Sequence, residues 1–337
     1  MTIGSIDETA ARPRLPRLRG LPWVTWRQHR TALLVTTGLF TAIAVFLTVH
    51  GLAMHAGYRA LGLDSCGDLH GPACQAPLDV FVHRYGAWPD RFATALMLLP
   101  AFLGTFVGAP IVARERDTGT YRFAWTLGRT RLQWLAAKLA LPGAALTGLA
   151  LACGLLAFWW YAPWVPPRGR LGSDMYHVMG TVFAARTLFC FTLAVLLGTL
   201  IRRTVPALAT ATVACLAAIV APATWLEPLI QKPLDANIDT DSGTATGMTV
   251  NQWVVDPAGH RLTSAQTDDL DVQAGPDLVS KHQTFHSWLT QHHYTSWVSY
   301  QPDTRFWHFQ AVETSAYLAA ALLLAATALW WIRRPIH

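Results

Sequence analysis

Charge is scarce in this chain. Only 14% of its 337 residues are Asp, Glu, Lys or Arg, while 52% are hydrophobic. A soluble domain carries about 25% charged residues. The deficit excludes a soluble enzyme and points to a chain whose main solvent is lipid. Sequence signatures of nucleotide chemistry are missing too. There is no G-x-x-x-x-G-K-[ST] phosphate loop and no G-x-G-x-x-G fingerprint. There is also no G-x-S-x-G nucleophile elbow. Such a chain has no means of hydrolysing nucleotide itself, so any uphill work draws its energy from a partner. No internal repeat is visible.

What charge there is has a pattern. Lys and Arg number 26 against 20 Asp and Glu, for a net charge of +6. A nucleic-acid binder gathers such residues on a polar domain. Here they stand at the ends of apolar runs, as the positive-inside rule requires of a membrane protein. Six runs are long enough to span: 31–53, 92–113, 136–161, 177–200, 205–226 and 311–332. The first run exceeds a signal-peptide core and no small-x-small cleavage site follows it. Arg12 to Arg30, Arg114 to Arg131, Arg202–Arg203 and Arg333–Arg334 mark one side as cytoplasmic. Both termini then lie in the cytoplasm of a multi-pass plasma-membrane protein.

Four regions follow. Residues 1–30 are a cytoplasmic tail with an interfacial stretch, LPWVTWRQHR. This stretch reads either as a short helix lying in the interface or as an aromatic belt for the next span. Residues 31–226 hold spans one to five, with the connection 114–138 between the second and third. Residues 54–90 within this region are read as a polar outer loop. Residues 227–310 are acidic and long enough for a small outer domain. Their second half, from Lys281 to Phe309, is expected to be helical. Residues 311–337 are the sixth span and its cytoplasmic end.

Candidate chemistry is sparse. Arg186 and Glu313 are ionisable residues within the fourth and sixth spans, where charge is costly. They either pair and line a translocation path, or each snorkels to the outer interface. The second reading is favoured. No further acid or histidine is placed mid-span, which disfavours proton-coupled transport. Cys66 and Cys74 lie close in the first outer loop and are candidates for a disulfide. Cys153, Cys190 and Cys215 read as small buried hydrophobes. His282 and His286 are four apart, a spacing zinc ligands use, but no supporting frame accompanies them and no metal site is assigned.

The stretch PIVARERDTGTYRFAWTLGRTRLQWLAAK, residues 110–138, is the most specific. An apolar run stops at four consecutive charged residues. Gly119 and Thr120 follow, then an aromatic patch of Tyr121, Phe123 and Trp125, then Arg129 and Arg131. Trp134 and Lys138 lead into the next run. This order resembles the cytoplasmic coupling segment of ABC-2 type transporter permeases. TWRQHR before the first span, LLGTLIRRTVPA between the fourth and fifth, and YQPDTRFWHFQAVETSAYLAAALLL into the sixth are similar to that family as well. The resemblance covers nearly the whole chain, and is nearest to permeases of high-GC Gram-positive bacteria.

The resemblance implies an all-α polytopic fold of six helices, of the ABC-2, type V exporter-like kind, with an enlarged outer segment between helices five and six. It implies a half-transporter: a second permease subunit, identical or paralogous, completes the path within membrane lipid. Two copies of a separate ATPase subunit, holding ATP and Mg, dock below. No cofactor is assigned to this chain, and no nucleic acid. Asp117–Gly128 would be the helix that enters the ATPase, with Glu115, Arg116, Asp117, Gly119, Thr120, Tyr121, Phe123, Trp125, Arg129 and Arg131 as the coupling residues. The alternatives are a membrane-embedded enzyme, or an immunity or sensor protein that binds a peptide through its outer loops.

Overall fold

The computed structural model describes residues 21–67, 69, 71–119, 130–201, 203–221, 230–238, 247–281 and 284–333. Among these residues the helices of seven residues or more are α1 Leu21–Ala60, α2 Pro72–Tyr85, α3 Ala87–Met97, α4 Leu99–Asp117, α5 Arg131–Trp160, α6 Val182–Ile201, α7 Thr204–Ala221, α8 Ser264–Lys281, α9 Phe285–Gln291 and α10 Phe306–Arg333. Among the described residues, six helical segments are long and apolar enough to cross a membrane. They are Arg30–Ala60, Ala87–Asp117, Arg131–Trp160, Val182–Ile201, Thr204–Ala221 and Asp303–Arg333.

The spans match the sequence reading in number and order but differ at their ends. α1 runs unbroken from Leu21, so residues 21–30 belong to the same helix as the first span, which begins at Arg30, and are not a separate helix. Neither Gly nor an interior Pro interrupts that stretch, and Pro22 sits in the first turn, where its missing N–H costs nothing. α1 also continues to Ala60, well past residue 53, and the chain turns at Gly62 with φ +71°. This puts His50 well inside a span, against the expectation above. The remainder of 54–90, read as loop, is largely the helices α2 and α3. The second span is split at Leu98, because Pro100 cannot donate the bond that would carry α3 into α4.

α4 and α6 form the centre of the bundle. Their close approach needs glycine. A Cβ on Gly104 would lie 2.6 Å from Cys190 Cβ, one on Gly108 2.7 Å from Phe191 O, and one on Gly198 2.7 Å from Ala109 O. Small residues four apart let helix backbones touch where no water drives them together. α5 and α10 pack on the other faces of α6, and α7 closes against α4.

At the end of the bundle near Cys66 the core is aromatic. Phe81, Trp160, Tyr161, Trp164, Tyr176 and Phe306 are buried there. His50 sits among Phe46, Tyr85, Trp88 and Trp160, and its Nδ1 accepts from Trp160 Nε1 at 3.2 Å.

The segment between the fifth and sixth spans is mixed. Strands β1 Leu234–Asn237, β2 Gly247–Val255 and β3 Thr295–Pro302 make an antiparallel sheet in the order β1-β3-β2. Trp253 pairs with Trp297, and a bulge lies between Thr249 and Asn251. The expected helix over 281–309 is therefore realised only as α9 and the start of α10. Between them TSWVSYQP, rich in β-branched and aromatic residues, forms the central strand. α8 and α9 bury Ala274, Trp288 and Leu289 against Val254.

Candidate coupling site

α4 ends in Arg114, Glu115, Arg116 and Asp117. The end is capped locally: Thr118 Oγ1 donates to Arg114 O at 2.9 Å, and Gly119 takes φ +73°, a left-handed turn that glycine adopts freely. α5 restarts at Arg131, where the Thr130 hydroxyl accepts from Gln133 N–H at 3.2 Å. Thr120, Tyr121, Phe123, Trp125 and Arg129 lie outside the described residues.

The described members of the stretch are engaged with the bundle. Lys138 Nζ, on α5, donates to Glu115 Oε1 at 2.5 Å and to Ile111 O at 3.0 Å, and it lies 4.8 Å from the Trp134 ring centroid. The Lys138 side chain is 2% exposed and that of Glu115 17%. Arg116 donates to Thr199 O on α6. Asp117 Oδ2 accepts from Thr204 Oγ1 at 3.2 Å, and from the Thr204 N–H at 3.5 Å, at the first turn of α7. A carboxylate there meets the positive end of the helix. Three consecutive side chains thus tie the end of α4 to α5, α6 and α7. The family resemblance assigns Glu115 and Arg116 to coupling with the ATPase. The partner that Glu115 takes is 23 residues away and is set only by the packing of α4 on α5.

A second polar cluster lies near the opposite end. Arg186 Nη2 meets Glu313 Oε2 at 2.8 Å, with side chains 1% and 8% exposed. The favoured sequence reading, in which each snorkels outward, is thereby corrected: α6 and α10 pack face to face and bury both. Tyr176 Oη donates to Glu313 Oε1 at 2.8 Å, and the guanidinium stands 5.4 Å from the Tyr317 ring centroid. Gln310 holds the start of α6. Its Oε1 accepts from the Thr181 and Val182 N–H groups, and its Nε2 donates to Tyr176 O and Met179 O. Sequence reasoning missed Gln310 and Tyr176. Gln310 is the last amide before the sixth apolar run, which was the available signal. His177 borders this cluster. Burial first, then the Arg186 charge, push its imidazole down to about 3.

Cys66 and Cys74 are joined by a disulfide, with Cα atoms 6.3 Å apart. Cys153, Cys190 and Cys215 are buried thiols. His286 is exposed on α9, His282 lies outside the described residues, and no group of three metal-ligating side chains forms among the described ones.

A family model described as ABC-2 membrane transporter related matches residues 37–227, more than half of the chain and all of spans two to five. The chain belongs to this family. It is an ABC-2 type permease and a multi-pass membrane protein. Such permeases are non-enzymatic membrane components that work with an ATPase. No curated protein and no solved structure matches the permease. The matched region stops at residue 227, so it does not reach the sheet-bearing segment or the sixth span.

Proposed function

We propose that this permease is the membrane subunit of an ATP-binding cassette exporter, driven through the 117–128 connection by a separate ATPase. The observation that carries this reading is the tie at the end of α4. A movement imposed on the connection between Asp117 and Arg131 acts at once on α5 through Glu115–Lys138, on α6 through Arg116 and on α7 through Asp117. A plain surface loop needs no such anchorage. The chain has no nucleotide loop of its own, so the energy enters from outside it. Two ATPase copies carry ATP and Mg, and a second permease subunit completes the path, with Arg186–Glu313 buried beside it. Tyr121, Phe123 and Trp125 anchor the connection in the ATPase, as aromatics do at interface hot spots.

The arginine-rich ends put both termini in the cytoplasm. The Cys66–Cys74 bridge supports this orientation, because disulfides persist on the oxidising side. The 230–302 segment then lies outside.

The test is co-purification from native membranes. The tagged chain is expected to bring down an ATPase subunit, and Trp125→Ala to reduce that recovery at least tenfold. Absence of any ATPase, together with membrane ATP hydrolysis unaltered by Trp125→Ala, would sink the proposal.

A further inference from the structure

Among the described residues, the β2 edge of the sheet between the fifth and sixth spans is only partly covered. β2 is an edge strand. After it the chain reverses: Gly259 N–H donates to Asp256 O at 3.0 Å, Asp256 N–H donates to His260 O at 2.9 Å, and Gly259 takes φ +89°. Arg261 then bridges Val255, and Leu262 N–H donates to Val254 O at 2.8 Å. These two residues act as the first piece of a fourth strand. They go no further, because Thr263 starts α8: its hydroxyl accepts from Gln266 N–H at 3.4 Å, and Gln266 Oε1 accepts from Thr263 N–H at 2.9 Å. The chain leaves the edge just where pairing has begun.

The ladder says what remains exposed. Val254 and Ser296 face each other, yet their carbonyls point apart, to Leu262 and to Ile238 N–H. They are therefore a non-hydrogen-bonded pair, and antiparallel pairs alternate in kind. Gln252 and Val298, two residues along, are of the same kind. The backbone N–H and C=O of Gln252 thus point off the sheet, at an edge that no other described strand covers. A cleft of ≈ 780 Å³ lies at this point, lined by Gln252, Leu262, Asp268, Phe285, His286 and Leu289 among others. On its α9 side Phe285 and Leu289 give apolar surface beside His286, and Arg261, stacked 4.2 Å over the Trp253 ring, is the one Lys or Arg among the described lining residues. Its α8 side is acidic: Asp268 lines the cleft, and Asp269 and Asp271 are exposed beside it.

We propose that this cleft is a binding site for an extended cationic peptide segment, which adds to the edge of β2 beside Gln252. Its main chain takes the N–H and C=O that Leu262 leaves uncovered. Its side chains on the cleft side meet Phe285 and Leu289 at one wall and Asp268 at the other. The site does not depend on the transport reading, since it belongs to the part of the chain beyond the matched family region.

The probe is a capped heptapeptide, acetyl-Lys-Val-Lys-Val-Lys-Val-Lys-amide, titrated onto the full-length permease in nanodiscs. A version with Glu in place of Lys serves as the control. The cationic peptide is expected to bind at least tenfold more tightly than the acidic one. Gln252→Pro removes the outward N–H without breaking a bond to β3, a substitution that edge strands tolerate, and is expected to weaken binding at least tenfold. Gln252→Ala keeps that N–H and is expected to bind as the unsubstituted chain does. Asp268→Lys with Asp269→Lys is expected to reverse the charge preference, and this arm stands whether or not Gln252→Pro folds. Equal binding of the two peptides, no binding of either, or a folded Gln252→Pro variant with unaltered affinity overturns the proposal.

Discussion

Glu313 accepts from two donors, Arg186 and Tyr176, where the side chains of the ion pair are 1% and 8% exposed. Removing one partner of such a pair strands a buried charge, which costs about 3–5 kcal/mol. Glu313→Gln is expected to lower the thermal unfolding midpoint in detergent clearly. The double change Arg186→Met with Glu313→Leu is expected to recover most of it, because no charge is left behind. If the double variant unfolds as early as the single one, the pair is needed for something other than mutual neutralisation. His177 makes a different prediction. Its imidazole is held at about 3 against an ordinary value near 6.5, so the unfolded chain binds the proton that the folded chain refuses. Stability is therefore complete above about pH 6.5 and falls as the pH drops towards 3. Thermal midpoints measured across that window are expected to decline less steeply in His177→Gln. Neither residue's role was legible from spacing. The separation of 127 positions between Arg186 and Glu313 says nothing about contact, and His177, read as the first residue of the fourth span, stands in the turn before it with no motif around it.

Among elements, the α4–α6 contact governs the bundle. Gly104 and Gly108 are four apart on α4, and each meets α6 backbone. Gly108→Leu is expected to abolish correctly folded, detergent-stable protein, because the nearest obstacle is the Phe191 carbonyl and backbone cannot step aside. Gly148→Leu, in α5, is the contrast: nothing lies within 4 Å of a Cβ there, so monodisperse yield on size exclusion is expected to be unaltered. Hydropathy made the spans legible, since a helix in lipid must be apolar over most of its length whatever it packs against. Pro100 stands where the second span is interrupted, whereas α4 runs on through Pro110. The sheet was not legible. β1 has four residues, and its partner β3 lies some sixty positions downstream, so no local period announces the pairing. Lys138 was legible as a charge entering the third span, but its acceptor was not, because that depends on how α4 and α5 lie side by side.

At the scale of the whole molecule, topology and energy input are joined. Six spans put the connections that hold Cys66–Cys74, Gly169 and the sheet on one side, and the 118–130 connection on the other. A single cysteine placed at the exposed Gly259, in a chain otherwise without reactive thiols, is expected to react with a membrane-impermeant maleimide added to intact cells. One placed at Thr118 is expected to react only after the membrane is opened. The opposite pattern would reverse the orientation and remove the 118–130 connection from reach of a cytoplasmic ATPase. The family was legible in the order of weak motifs from TWRQHR before the first span to YQPDTRFWHFQAVETSAYLAAALLL into the sixth. Residues 228–299 carried no such motif, and the matched family region stops at residue 227.

The spans differ in length, and that has a consequence for the membrane around them. α6, at the centre, runs Val182–Ile201, 20 residues, which at 1.5 Å per residue is about 30 Å. α5 beside it has 30 residues, or about 45 Å. The two cannot both match one slab of hydrocarbon while upright. The shorter one fixes the thickness the protein fits, near the average of biological bilayers. The longer one must tilt or stand proud of it. Thickening the bilayer by lengthening its acyl chains therefore strains α6 first, the helix that Arg116 holds to the end of α4.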